Sequence, residues 1–442
     1  MGALLHLCVA LAVLLCTVQC DRHTGRTPHP RPHSDGHGHG HAHAHGHRHS
    51  HSHGKEHHHH DHQTNGSLKI YQENLDFAFR LYKHISAQPD SQSKNVFFSP
   101  LSVSVALAAL SVGARGKTHQ QLFEGLGFNS TEITTEEVNQ AFQHIHHNLN
   151  EKTDVDLSLG NALFIGQDFK PRPEFLESMK RYYESDGFST DFSKPEEAKE
   201  QINKYVNEKT KGKISDLVQK VDPLTVMYLI NYIYFKGKWE IPFDPKATKE
   251  HDFHVDDKTT VSVPMMYEED YFHVYHDEDI STHVLQLHYN ESVSMMLVLP
   301  EKGLQGLEEV VCKNHLQKWI RSVGKKKYQV YVPKLSLKTS YQLKEILSEM
   351  GITDIFGDTA DLTGISEGGK LAVSKVMHKA TLDVDEAGAT AAAATGIEIM
   401  MTLALFPAPT PVLKFDRPFM VFLLNRETRS IMFMGKIVNP AK

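Results

Sequence analysis

Cysteine is scarce in this chain, with 4 in 442 residues, and Cys8, Cys16 and Cys20 all fall within the first twenty positions. Those twenty residues carry an apolar run from Ala3 to Val13 and on through Leu15, then Val18 and Cys20 at the small-residue positions of a cleavage site, which reads as a secretory signal over 1–20. Its removal leaves Cys312 alone, which excludes an intramolecular disulfide framework and leaves an inert, half-buried thiol or a mixed disulfide as the readings of that residue. Long apolar runs are also missing: no later stretch approaches the roughly 18 residues a membrane helix needs, so no membrane partner is expected. Positive charge is not in excess. The formal net charge of -7 argues against a general affinity for nucleic acid. Catalytic motifs are absent too, with no GxSxG, HExxH, phosphate-binding loop, dinucleotide fingerprint or Cys-x-x-Cys pair, so the sequence does not read as an enzyme.

What is abundant is histidine. Residues 21–63 hold 17 of the 31 histidines, in runs such as HGHGHAHAHGHRHSHSHG and HHHHDH. With almost no apolar content this part cannot bury enough surface to fold, and a disordered segment is expected over 21–67. His37, His39, His41, His43, His45, His47, His49, His51, His53, His57, His58, His59 and His60 are candidate ligands for Zn(II), Cu(II) or Ni(II). A solvated spacer is an equal alternative. A third reading is a pH-dependent tether for a heparin-like polyanion, as imidazoles protonate below about pH 6.5. Three sequons, at Asn65, Asn129 and Asn290, fit a secreted glycoprotein.

From Leu68 to Lys442 the composition is globular. The length of 442 residues, taken alone, favours two domains. Leu75, Ala78, Phe79, Tyr82 and Ile85 share one helical face, and YQLKEILSEMGI from Tyr341 shows the same period. Runs such as VMYLINYIYFKG, SVSMMLVLP, YQVYVPKLSL, PFMVFLLNRE and SIMFMGKIV read as strands. Helices early and strands late imply an α+β fold with large, mainly antiparallel sheets. His144 and His147 share a helical face and could form a weak two-ligand site, although a wet helix surface is the simpler reading. Lys325, Lys326 and Lys327 could contact a polyanion from a loop, or simply be solvated.

The segment DEAGATAAAATGIEIMMTL, Asp385 to Leu403, has the composition of a helix but the alternation of a strand. Ala389, Ala391, Ala393, Thr395, Ile397 and Ile399 fall on one face, while Thr390 and Glu398 fall on the other. Side chains this small suit a strand that must enter a crowded place.

The stretch VMHKATLDVDEAG from Val376, the alanine run after it and KFDRPFMVFLLNRETRSIMFMGKIVNP from Lys414 closely resemble the serpin family. NVFFSPLSVSVALAALSVGARGKTHQQL from Asn95, LINYIYFKGKWEIPF from Leu229 and DFHVDDKTTVSVPMM from Asp252 agree, in the same order, and the likeness is greatest to the secreted α1-antitrypsin-like group. The resemblance implies one serpin domain over 68–442 in place of two, with three β-sheets, eight or nine helices and an exposed reactive-centre loop. It implies an inhibitory hinge at Glu386, Gly388, Ala389, Thr390, Ala391, Ala392, Ala393, Ala394 and Thr395, and a sheet-opening cluster of Ser99, Ser102, Asn231 and His378, with Trp239 where insertion begins. Glu386 matches the acid seventeen residues ahead of the scissile bond, which makes Thr402 the cleaved residue; shifts of one in either direction give Met401 or Leu403. None of the three is charged, so elastase-like or chymotrypsin-like proteases fit better than trypsin-like ones.

The resulting expectation is a secreted, extracellular, monomeric suicide inhibitor that forms a covalent acyl complex with a serine protease and needs no cofactor. A non-inhibitory carrier, or a metal- or polyanion-binding plasma protein using the histidine tail, is the alternative.

Overall fold

The computed structural model describes residues 68, 70–151, 155–289, 292–367, 369–387 and 409–442. Helix α1 (Tyr71–Ser86) buries the face formed by Leu75, Ala78, Phe79, Tyr82 and Ile85, as its period predicts. Helix α2 (Pro100–Ser111) differs in being apolar on all sides and buried at every position, which suits a helix at the centre of the molecule. Its start is fixed locally: Ser99 caps it by accepting from Ser102 N–H, and Pro100 occupies the first turn, where no intrahelical donor is needed. Helices α3 (Gly116–Gly125), α4 (Thr135–Asn150), α5 (Pro173–Tyr183) and α6 (Pro195–Lys209) complete the helical first half. Three shorter helices follow, α7 (Leu304–Val310), α8 (Lys313–Ser322) and α9 (Lys344–Glu349).

Two sheets carry the remainder. The five-stranded sheet has the order β10 (Leu335–Gln342), β11 (Lys375–Val384), β4 (Met227–Gly237), β2 (Val155–Gly166) and β3 (Asp186–Thr190). The nine-stranded sheet runs β1 (Val96–Phe98), β14 (Ser430–Ile437), β13 (Phe419–Asn425), β8 (Val293–Pro300), β7 (Thr282–His288), β6 (Thr260–Asp277), β9 (Gly324–Pro333) and β12 (Val412–Lys414), with β5 (Lys249–His254) also on β6. Strand β6 is 18 residues long and pairs with β5 and β9 along most of its length but with β7 only at its end. It thereby joins the second and third sheets of the expected architecture into one hydrogen-bonded path.

One core, containing α1, α2 and the inner faces of both sheets, dominates the molecule. Gly435 lets β1 approach β14 closely, since a Cβ there would lie 1.9 Å from the Val96 carbonyl oxygen. A second cluster lies on the outer face of the five-stranded sheet, where Ala198, Ile202 and Val206 of α6 cover Tyr228, Ile230, Tyr232 and Tyr234 of β4. Strand β4 is therefore buried on both sides, which explains its unbroken apolar run.

Two local expectations are corrected. Tyr341 and Gln342 end strand β10, where the Tyr341 hydroxyl accepts from Phe97 N–H at 3.1 Å, and only Lys344–Glu349 of that segment is helical. Lys325, Lys326 and Lys327 are not in a loop but open strand β9, opposite His273, Phe272 and Tyr271 of β6.

Candidate functional site: the seam between β4 and β11

The connectivity of the five-stranded sheet isolates one line within it. Strands β4 and β11 are parallel, paired from Tyr228 and Lys375 to Lys236 and Asp383, whereas β11 is antiparallel to β10 and β4 is antiparallel to β2. The nine paired positions span roughly 30 Å. A chain that turns back after β11 and enters this seam would run antiparallel to both neighbours, replacing one parallel pairing with two antiparallel ones, which are slightly stronger per residue.

Ser99, Ser102, Asn231 and His378 meet on the inner face of this seam, each no more than 1% exposed. Asn231 of β4 and His378 of β11 are direct register partners. His378 Nε2 accepts from Ser99 N–H at 3.0 Å, so the ring proton sits on Nδ1 and is donated to Asn231 Oδ1 at 2.6 Å. The same oxygen accepts from the Ser102 hydroxyl at 2.8 Å, while Asn231 Nδ2 donates to the Ser102 carbonyl at 2.9 Å. Both ring nitrogens of His378 are thus occupied in its neutral form. Burial pushes its pKa down to about 3.

The upper end of the seam is fastened by contacts that the sequence reading did not single out. Trp239, stacked on Tyr289 at 3.9 Å, donates its indole N–H to the Asp385 carbonyl at 2.7 Å, and its backbone N–H to Ala387 O at 2.9 Å. Lys236 of β4 pairs with Asp385 at 2.7 Å, which raises the pKa of the lysine. Glu386 is held by Lys334 at 2.8 Å and by the Thr248 hydroxyl at 2.7 Å. Burial opposes its ionisation, yet these bonds outweigh that and keep its carboxyl below the usual range. Tyr234 OH to Asp383 Oδ2 at 3.3 Å adds a further tie from β4 to β11. Tyr234 and Lys236 sit within the quoted stretch LINYIYFKGKWEIPF, and Thr248 and Lys334 in none of the family stretches; all four stand far from the hinge in sequence, so only the fold reveals what they hold.

Gly388, Ala389, Thr390, Ala391, Ala392, Ala393, Ala394, Thr395, Met401, Thr402 and Leu403 lie outside the described residues, as do the tail histidines, Asn65 and Asn290. The chain is described again from Pro409, and β12 then pairs in parallel with β9, Val412 opposite Gln329. Asn129 is exposed in the turn before α4, with its Oδ1 accepting from the Thr131 hydroxyl at 2.8 Å. His147 pairs with Glu151 at 3.0 Å on the surface of α4. Lys327 pairs with Glu269 at 2.9 Å. Cys312 precedes α8, with its Sγ 3.3 Å from His315 Nδ1.

A fold of this topology, with a parallel seam in its five-stranded sheet and a tethered segment above it, is that of the serpins. Residues 72–440 match the family described as Serpin (serine protease inhibitor), and the chain belongs to that family. It is 45% identical over 376 residues to alpha-1-antiproteinase 2 of Equus caballus, covering 85% of this chain and 88% of the relative. The hibernation-specific plasma protein HP-55 of Tamias sibiricus is 45% identical over 371 residues, covering 83% and 88%. Among solved structures, human thyroxine-binding globulin complexed with thyroxine superposes with a TM-score of 0.78 at 40% identity, covering 85% of this chain and 99% of that one. Mouse protein-Z dependent protease inhibitor gives 0.79 at 31% identity, covering 86% and 100%. Antiproteinases and a thyroxine-binding globulin thus stand together among the relatives. No helix among the described residues is long and apolar enough to cross a membrane.

Proposed function

We propose that this chain is a secreted suicide-substrate inhibitor of serine proteases of the elastase or chymotrypsin type. The observation that carries this reading is the seam: a parallel β4–β11 pairing, closed along nine positions, directly below a segment whose base is fixed by Trp239, Lys236 and Lys334. The residues that follow, Ala389 to Thr395, are small and uncharged, which suits a strand entering a sheet whose inner face packs against the core.

In the proposed reaction the protease's serine oxygen attacks the carbonyl of Met401, Thr402 or Leu403. The amide bond breaks, an ester forms, and the freed amine takes a proton and becomes the N-terminus of the remaining chain. That piece stays in place because β13 and β14 lie inside the nine-stranded sheet. The upstream piece, no longer held at both ends, folds back at Gly388 and enters between β4 and β11, carrying the esterified protease with it. Inhibition succeeds when entry outruns hydrolysis of the ester. The histidine-rich segment takes no part in this cycle; it is a candidate binder of Zn(II), Cu(II) or Ni(II), or of a heparin-like polyanion, on the same polypeptide.

Incubation with pancreatic elastase and with chymotrypsin, followed by denaturing electrophoresis and mass measurement of the released C-terminal peptide, tests the proposal. A band at the summed mass is expected, and the peptide mass identifies the bond. Clean cleavage by both enzymes without such a band would instead favour a carrier built on the same scaffold.

A further inference from the structure

The turn that joins β6 to β7 gathers three side chains unrelated to the seam. His276 of β6 and His283 of β7 are direct cross-strand partners, and their rings stack with centroids 4.4 Å apart and 22° between planes. Glu301, immediately after β8, places Oε1 3.0 Å from the Nε2 of each ring. The Glu301 backbone is itself fixed, its N–H donating to the Ser281 carbonyl at 3.0 Å. Among the described residues, this is the group of three histidine or acidic side chains whose ligand atoms all lie within 4.8 Å of one another. Side-chain exposures of 41%, 33% and 41% leave it open to an ion arriving from solvent.

We propose that His276, His283 and Glu301 form a binding site for a divalent transition metal of the Zn(II), Cu(II) or Ni(II) class. Two imidazole nitrogens and one carboxylate oxygen make the borderline donor set these ions favour. Two ligand atoms about 2.1 Å from a tetrahedral ion stand about 3.4 Å apart. The 3.0 Å nitrogen-to-oxygen separations need therefore open by only a few tenths of an ångström. The supports are rigid. Asp277, next to His276, accepts from the Trp319 indole at 2.8 Å and pairs with Lys318 at 2.9 Å, which pins the turn to α8.

In the metal-free arrangement both Nε2 atoms face the same oxygen. Entry of the ion moves each ring's proton to Nδ1, which frees the Nε2 lone pair without changing the charge of a neutral ring. Water fills the fourth position. The Arg417 guanidinium lies close enough to act electrostatically on His283, which opposes a cation, but it is itself paired with Asp416 at 3.6 Å and donates to the Pro300 carbonyl at 3.3 Å. The Glu301 carboxylate then supplies the negative charge that the ion requires.

The tail's histidines would bind the same ions, so the readout must ignore them. Metal held by histidines that bind it equally in the folded and unfolded chain does not raise the unfolding temperature, whereas metal on β6, β7 and Glu301 binds only the folded form and does. Thermal unfolding of the full chain in buffered free Zn(II), compared with a chelated control, is expected to rise by several degrees for the wild type. The rise should vanish in His283→Gln and Glu301→Gln variants whose metal-free transitions stay in place. No shift in the wild type, or an equal shift in both variants, would overturn the site. Should the variants fail to fold, anomalous scattering at the zinc edge from wild-type crystals decides: a peak among the three side chains supports the assignment, and its absence removes it.

Discussion

His378 illustrates how one residue can couple protonation to the seam. Its folded pKa of about 3 lies below the usual 6.5 because burial disfavours the imidazolium, and Nε2 has no room for a second proton against Ser99 N–H. Between those values the unfolded chain binds a proton that the folded chain does not. The contribution is therefore complete above about pH 6.5 and is lost as pH falls towards 3, at up to about 1.4 kcal/mol per unit. Denaturant midpoints measured from pH 7 to pH 4 should fall less steeply in a His378→Gln variant than in the wild type; identical slopes would show that His378 titrates elsewhere. Asn231→Leu removes the acceptor of His378 Nδ1–H and the nearer acceptor of the Ser102 hydroxyl, which keeps the Ser99 carbonyl at 3.3 Å, so one buried donor is left unpaired at a cost of about 1–3 kcal/mol. A denaturation midpoint unchanged by that substitution would refute the network. At this scale the family resemblance placed the four cluster residues, and the fold brings them together. It could not supply Lys236, Lys334, Thr248 or Tyr234, because a tether that acts across a seam leaves no local pattern in either strand.

Strands and helices were legible where one period dominated. The stripe of α1 and the apolar runs of β4, β8, β13 and β14 reflect burial that the sequence states directly. Tyr341 was misleading because two residues of strand end, Tyr341 and Gln342, run almost straight into a short helix, so the apolar spacing mixes two periods. The lysines opening β9 resemble a loop by composition, but they pair with β6, whose partner positions hold them in register. The proposed hinge follows the same logic of alternation in sequence. Ala391 falls on the small-residue face of that alternation, so under the proposed mechanism Ala391→Arg would force a charge into the sheet on insertion, at a cost of several kcal/mol. Cleavage should proceed at the wild-type rate, while covalent complex falls about tenfold or more. Ala392→Arg, on the opposite alternation, should retain most of the complex. Titration of elastase with each variant, scored as inhibitor consumed per enzyme inactivated, checks the pair; equal losses would mean the loop does not enter as an alternating strand.

For the whole molecule, the account separates a mechanical domain from its tail. A chain beginning at Leu68 keeps every described contact of the seam, so it should form complex with elastase as fast as the full chain in the absence of metal and polyanion, as rate measurements under those conditions will establish. The native fold, with β4 and β11 paired directly and the alanine-rich segment available to part them, should not be the most stable arrangement of this polypeptide. The most direct test is to nick the chain between Gly388 and Pro409 with a protease that it does not inhibit, and to compare guanidinium unfolding before and after. The account predicts a large upward shift of the midpoint on cleavage, as the freed segment becomes a sixth strand between β4 and β11. An unchanged or lower midpoint would mean that the seam stays shut, and would contradict it.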